Sequence, residues 1–73
     1  MKKEEKMNFT KEAVRDFNGK IIAWEEFMAN GDIVVRDFYG KILGKYDAFD
    51  DVTRDFYGKI LAKGDAHGML IGR

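Results

Sequence analysis

His67 is the single histidine of the chain, which has no cysteine and no serine. A general base works only on a nucleophile held within hydrogen-bond reach. The two threonines, Thr10 and Thr53, have no motif around them, so nucleophilic catalysis of the triad type is not expected. The expectation is a protein that is not an enzyme, with His67 as a turn residue. Asp47, Asp50, Asp51 and Asp55 gather the oxygen ligands that calcium prefers, but without EF-hand spacing and with no glycine inside the loop. They read as a solvated acidic turn. Zinc has no ligand set, so no metal and no cofactor is expected. Arg15, Arg36 and Arg54 each precede an Asp-Phe pair. Basic and aromatic residues together on a sheet are the chemistry of single-strand binding. Against it, each arginine has an aspartate beside it, and 13 basic residues balance 13 acidic ones. Lys41 and Lys59 are expected to pair across the strands with Asp37 and Asp55, at about 0.2–1 kcal/mol each.

The strongest local anomaly is the aromatic dipeptide. Phe38-Tyr39 and Phe56-Tyr57 fall at turn tips, where Asn, Asp or Gly is usual. Two readings stand. In one, Phe reaches back over the sheet and Tyr packs on the neighbouring hairpin. In the other, the tips form an exposed ridge that docks a partner, since aromatic residues and arginine are enriched at interface centres. The candidate binding residues are therefore Arg36, Phe38, Tyr39, Arg54, Phe56 and Tyr57, with Trp24, beside Phe27 and Met28, on the same surface or at an oligomer seam.

The elements that must position these residues come from an internal repeat. RDFYGKIL occurs at 36–43 and 54–61, RDFNGKII at 15–22, and a weaker copy, DAHGMLIG, at 65–72. Each unit predicts a β-hairpin. Asp16, Asp37 and Asp55 can open a type I turn by accepting from nearby backbone N–H groups. Gly19, Gly40, Gly58 and, in the fourth copy, Gly68 take the position of positive φ, which gives a type I turn with a G1 bulge. Asn18-Gly19 also suits a two-residue type I′ loop, and the two options differ in register by one residue. Ala29-Asn30-Gly31-Asp32 is a further hairpin signal, Asp47 to Asp51 an acidic connection, and Gly64-Asp65 with Gly68 the last turn. Strands are predicted near 13–17, 20–28, 33–38, 41–46, 52–56, 59–63 and 68–72. The fold expected is all-β, an antiparallel meander of six or seven strands built from three to four hairpin repeats. Residues 1–12 are expected as a charged tail, with a short helix over Thr10 to Val14 as the alternative, and 13–73 as one domain.

Composition limits the rest. The chain has 73 residues, 45% hydrophobic and 36% charged, with zero formal net charge. Without cysteine there is no disulfide scaffold. No apolar segment follows the basic start, and no apolar run reaches the length of about 18 residues needed to span a bilayer. A cytoplasmic protein with no membrane partner is expected, and the neutral charge provides no bulk field for DNA or lipid. About 60 residues of meander make one sheet, and small chains bury only about 60% of their unfolded surface. Both residues of each Ile-Leu pair are apolar and, by strand alternation, face opposite ways. Both faces then need cover, so a homo-oligomer is expected.

Val35 to Gly44 resembles, residue by residue, the motif V-R-D-F-Y-G-[KR]-I-[IL]-G that recurs two or three times in a group of small bacterial proteins. Val14 to Ala23 departs at Asn18 and Ala23, and Thr53 to Ala62 at its first and last positions. The resemblance covers about residues 14–72 and implies the hairpin array without any activity. A weaker resemblance is to tryptophan-glycine repeat proteins, whose units contain a D-x-x-G-K-I hairpin followed by tyrosine-aspartate; Lys45-Tyr46-Asp47 fits, while the tryptophan-glycine pair is absent. The function expected is a non-enzymatic protein-interaction or self-assembling β module. The alternatives are a single-stranded nucleic-acid-binding sheet and a small inhibitor protein from a phage or mobile element.

Overall fold

The computed structural model describes residues 9–72. They form one six-stranded antiparallel sheet in sequence order, a meander: β1 (Phe9–Arg15), β2 (Ile21–Met28), β3 (Ile33–Asp37), β4 (Ile42–Asp47), β5 (Val52–Asp55) and β6 (Ile60–Lys63). A single 3₁₀ turn, η1 (His67–Leu70), follows. The strand expected from residue 13 begins at Phe9, so Thr10, Lys11 and Glu12 pair with β2 instead of belonging to the tail. The remainder of the expected tail, residues 1–8, and the final Arg73 lie outside the described residues.

The fourth repeat copy is not a hairpin. The strand predicted over 68–72 is replaced by η1, and Gly68 lies within it rather than at a positive-φ turn position. The physical reason is local. Asp65 still accepts from the N–H two residues on, at 3.2 Å, but this copy has no arginine before its aspartate and no free upstream strand to pair with, because Ile60–Lys63 is already bonded to β5.

The three repeat hairpins share one irregularity. Arg15 pairs with Ile21 and Val14 with Ala23; Arg36 with Ile42 and Val35 with Gly44; Arg54 with Ile60 and Thr53 with Ala62. Ile22, Leu43 and Leu61 are therefore extra residues, one bulge per hairpin at the same place in each copy. A bulge breaks strict alternation. The first residue of each Ile-Leu pair therefore shares the face of its arginine, and the face of the second is set by the bulge and not by simple alternation.

Cross-strand partners share a face, which fixes the two sides of the sheet. One side carries Ala23, Glu25 and Phe27 of β2, Ile33 and Val35 of β3, Gly44 and Tyr46 of β4, and Thr53 of β5. The C-terminal segment folds over it. Leu70 is fully buried there, and a Cβ on Gly44 would stand 2.7 Å from Leu70 Cδ2. Thr53, also fully buried, donates from Oγ1 to the Gly64 carbonyl and accepts from the Ala66 N–H, both at 2.9 Å. His67 adds an edge-on contact to Phe27, with ring centroids 5.9 Å apart. The other side carries Trp24, Glu26, Val34, Arg36, Ile42, Lys45, Arg54 and Ile60. No second layer of the described residues covers it, and the smallest principal extent of the chain is 18 Å.

Candidate interaction surface

In a meander, alternate turns lie at the same end of the sheet. The three repeat turns, 16–20, 37–41 and 55–59, therefore stand in a row along one end. Each is built in the same way from its arginine, aspartate and glycine. The Gly40 N–H donates to the Asp37 carbonyl at 3.0 Å, and the Asp37 N–H to the Lys41 carbonyl at 2.8 Å. Asp37 Oδ1 accepts from the N–H groups of Tyr39 and Lys41, both at 2.9 Å. Arg36 Nη1 donates to the Gly40 carbonyl at 2.8 Å. The turns at Asp16 and Asp55 repeat every one of these bonds at 2.9–3.0 Å. Gly40 has φ of +92° and its counterparts Gly19 and Gly58 +87° and +88°, so the turn is type I with a G1 bulge in all three, Asn18-Gly19 included. The contact expected between Lys41 and Asp37, and between Lys59 and Asp55, is made by the lysine main-chain N–H.

This construction occupies the arginines. Arg36 also gives Nε to Glu26 at 3.1 Å, a pair in which Glu26 is buried, and Arg54 gives Nη2 to Asp50 at 3.1 Å. The aromatic side chains are left outside. Tyr39 and Tyr57 are each 88% exposed and Phe17 98%. Phe38 and Phe56 are half exposed, and each meets the edge of its own tyrosine at 5.2 and 5.1 Å. The tyrosines thus project from the turn instead of packing on the neighbouring hairpin. Trp24 is half-buried on the uncovered face, with the Lys11 ammonium 4.7 Å from its ring centroid.

Below the tips, the uncovered face has a shallow hollow between the second and third hairpins. Two adjoining parts of about 210 and 220 Å³ share Ile42, Asp55 and Phe56 as walls, with Val34, Lys41 and Tyr57 around them. Ile42, Ile60 and Phe56 remain between one-third and just over one-half exposed. The sequence reading did not pick out Ile42, Ile60 or Phe17 as surface residues. The bulge decides where the isoleucines sit, and an apolar pair carries no mark of a bulge. For Phe17, its place two residues before Gly19 in the turn was the usable signal.

The remaining candidates for chemistry are tied into the fold. His67 lies between two carboxylates, with Nδ1 2.6 Å from Asp65 Oδ1 and Nε2 3.2 Å from Glu25 Oε2. Burial pushes the Asp65 carboxyl up, but its bonds from His67 outweigh that and hold it below the usual value. In the acidic connection, Asp47 Oδ1 accepts from the N–H groups of Phe49 and Asp50. Asp51, at φ +57°, accepts from the Tyr46 hydroxyl at 2.6 Å. That bond, followed by burial and neighbouring acids, pushes the Tyr46 hydroxyl up to about 12. Among the described residues no three His, Asp or Glu side chains gather as a metal site, and no helix is long and apolar enough to cross a membrane. Comparison with protein families, with curated proteins and with solved structures finds no match, so the site is read from its own geometry.

Proposed function

We propose that the chain is a non-enzymatic, cytoplasmic interaction module that associates with a second copy of itself through the uncovered sheet face. The observation that supports this is the one-sided cover: η1 packs on one face, while the other leaves Ile42, Phe56 and Ile60 partly exposed, the first two as walls of an open hollow. A contiguous exposed apolar cluster of this kind, rimmed here by Arg36, Lys45 and Arg54, marks an interaction site. Burying about 800 Å² per chain is the usual scale of a stable interface. At about 25 cal/mol/Å², with two-thirds of it apolar, this is on the order of 13 kcal/mol before association costs. The reading as an interaction module rather than an enzyme is supported by His67, whose two ring nitrogens both face carboxylates. The nucleic-acid reading draws less support, because Arg15, Arg36 and Arg54 each bond a carbonyl of their own turn.

Sedimentation equilibrium over a dilution series tests the proposal. The wild type is expected as a dimer or larger at tens of micromolar. The double variant Ile42→Asp with Ile60→Asp is expected to stay folded and sediment as a monomer. A cooperatively folded wild-type species of 8.4 kDa at that concentration rejects self-association.

A further inference from the structure

The row of repeat turns has three properties that the sheet face does not explain. The first is the exposure of Phe17, Tyr39 and Tyr57, which are 88–98% in solvent; folding gains almost nothing from them. The second is the state of the backbone beneath them. From each turn's aspartate to its lysine there are five N–H groups, of which those of Asp, the residue before Gly, Gly and Lys are bonded within the hairpin, and the Asp, Gly and Lys carbonyls are bonded as well. With most of its polar main chain paired, and only the Phe N–H and the two tip carbonyls left to the headgroup water, such a tip enters the boundary at lower cost than an open loop, because buried unpaired polar groups are what make such a transfer expensive.

The third is charge. Each turn has one arginine, one aspartate and one lysine. Arg36 and Arg54 are paired with Glu26 and Asp50 and the aspartates accept from their own turns, so the charges the edge presents outward are the exposed Lys20, Lys41 and Lys59 ammonium groups. Over the other described residues, eight acidic side chains stand against three basic ones. A chain with no net charge is thus folded into a sheet with a cationic, aromatic edge and an acidic remainder. The neutrality that argued against a lipid partner is a property of the sum and not of this edge.

We propose that the edge formed by the three repeat turns docks on an anionic lipid surface. Phe17, Tyr39 and Tyr57 enter the headgroup boundary, where aromatic side chains settle. Lys20, Lys41 and Lys59, all exposed, face the lipid phosphates, and the acidic end points away. The cytoplasmic leaflet is the anionic one, in keeping with the compartment proposed above. Successive tips are two strand spacings apart, about 10 Å, and they project. A soft, flat surface accepts a row of projecting tips. Single-stranded nucleic acid favours a groove with stacking platforms and free cations along it, whereas the arginines here are held by their own turns.

The test is flotation of the full chain with vesicles of phosphatidylcholine containing about one-third phosphatidylserine, against pure phosphatidylcholine, at low and at physiological salt. The wild type is expected to float with the anionic vesicles and to be released by salt. Each Lys→Gln change at 20, 41 or 59 should weaken partition about fivefold, and the triple change about a hundredfold. Phe17→Ser, Tyr39→Ser and Tyr57→Ser together should abolish flotation while leaving the circular dichroism spectrum and thermal midpoint in place, since these side chains stand in solvent. Equal wild-type behaviour on both vesicle types, or undiminished binding of the lysine triple variant, overturns the proposal. So does capture of a fluorescent thymidine 20-mer through the same lysines and aromatics with vesicles ignored, which gives the edge to nucleic acid. Lys41 and Tyr57 also border the hollow, so the lysine triple variant is sedimented as well: flotation lost with self-association retained separates this result from the sedimentation result.

Discussion

Truncating Leu70 to alanine should remove about 3 kcal/mol of folding stability. Leu70 is fully buried and stands over Gly44, where the absence of a side chain leaves it room. Three apolar carbons are lost, about 2.4 kcal/mol at roughly 0.8 kcal/mol per carbon. The gap left behind adds to this, and buried Leu→Ala changes in general cost about 2–5 kcal/mol. The lower half of that range applies, because η1 is a single turn of four residues that can settle into the space. For 73 residues, whole-domain stability at about 0.05–0.15 kcal/mol per residue is roughly 4–11 kcal/mol. The change therefore takes a quarter to most of it. Urea unfolding followed by Trp24 fluorescence measures it, with the slope unchanged and the midpoint lowered by up to about 3 M for a slope near 1 kcal/mol/M. Gly44→Ala sharpens the argument, since its new Cβ would meet both Leu70 Cδ2 and the Arg54 carbonyl oxygen. In the Leu70→Ala background its cost should fall, leaving only the backbone collision. A loss below 1 kcal/mol for Leu70→Ala, or strict additivity with Gly44→Ala, would refute the idea that η1 is the cover of this face.

Gly40→Val and Gly58→Val should each destabilise by more than about 1 kcal/mol through backbone strain at positive φ, since a Cβ at either position meets nothing within 4 Å; unchanged melting of both would disprove the turn assignment. Alkaline titration should expose the Tyr46–Asp51 bond. The folded hydroxyl is raised from 10.0 to about 12, so its contribution is complete below pH 10 and is lost as pH rises from 10 to about 12. Tyr46→Phe should remove that part of the pH dependence, and urea midpoints measured from pH 8 to 12 for both proteins decide it.

The hairpins were legible because their information is local. An aspartate, a glycine three residues on and an arginine just before specify a turn without help from the remainder of the chain, and that combination recurs at 15–19, 36–40 and 54–58. What the sequence concealed depends on distant partners. β1 starts at Phe9 because β2 is eight residues long and offers bonds as far as Met28, while the Lys-Glu composition of Lys11 and Glu12 reads as a tail. The cover over the sheet was concealed for the same reason. Thr53 looks like an ordinary strand threonine until the chain returns 11 residues later to place the Gly64 carbonyl on its hydroxyl. The small residue closing each copy, Ala23, Gly44 or Ala62, was visible in the alignment, but its use was not: Gly44 makes room for Leu70 and Ala23 is fully buried.

The copies differ on the covered face and agree most closely in the turns. On the covered face, Val35 and Thr53 hold equivalent positions before the arginine, one an apolar core residue and the other a polar anchor for the C-terminal segment. These positions follow their local neighbours. The turns do not need the same freedom, yet their identity exceeds what the turn requires. Phe17-Asn18 closes the same hydrogen-bonded turn as Phe38-Tyr39 and Phe56-Tyr57, so turn geometry does not demand a tyrosine before the glycine. Nor does packing, with Tyr39 and Tyr57 each 88% exposed. Arginine, aspartate and glycine are accounted for by the bonds they make. The tyrosines, Phe17 and the lysine ammonium groups at the same edge are not, and that surplus is the part of the repeat available for contact outside the chain. A protein that only needed three hairpins could have closed them with asparagine and aspartate. This one closes them with aromatic residues in a row about 10 Å apart.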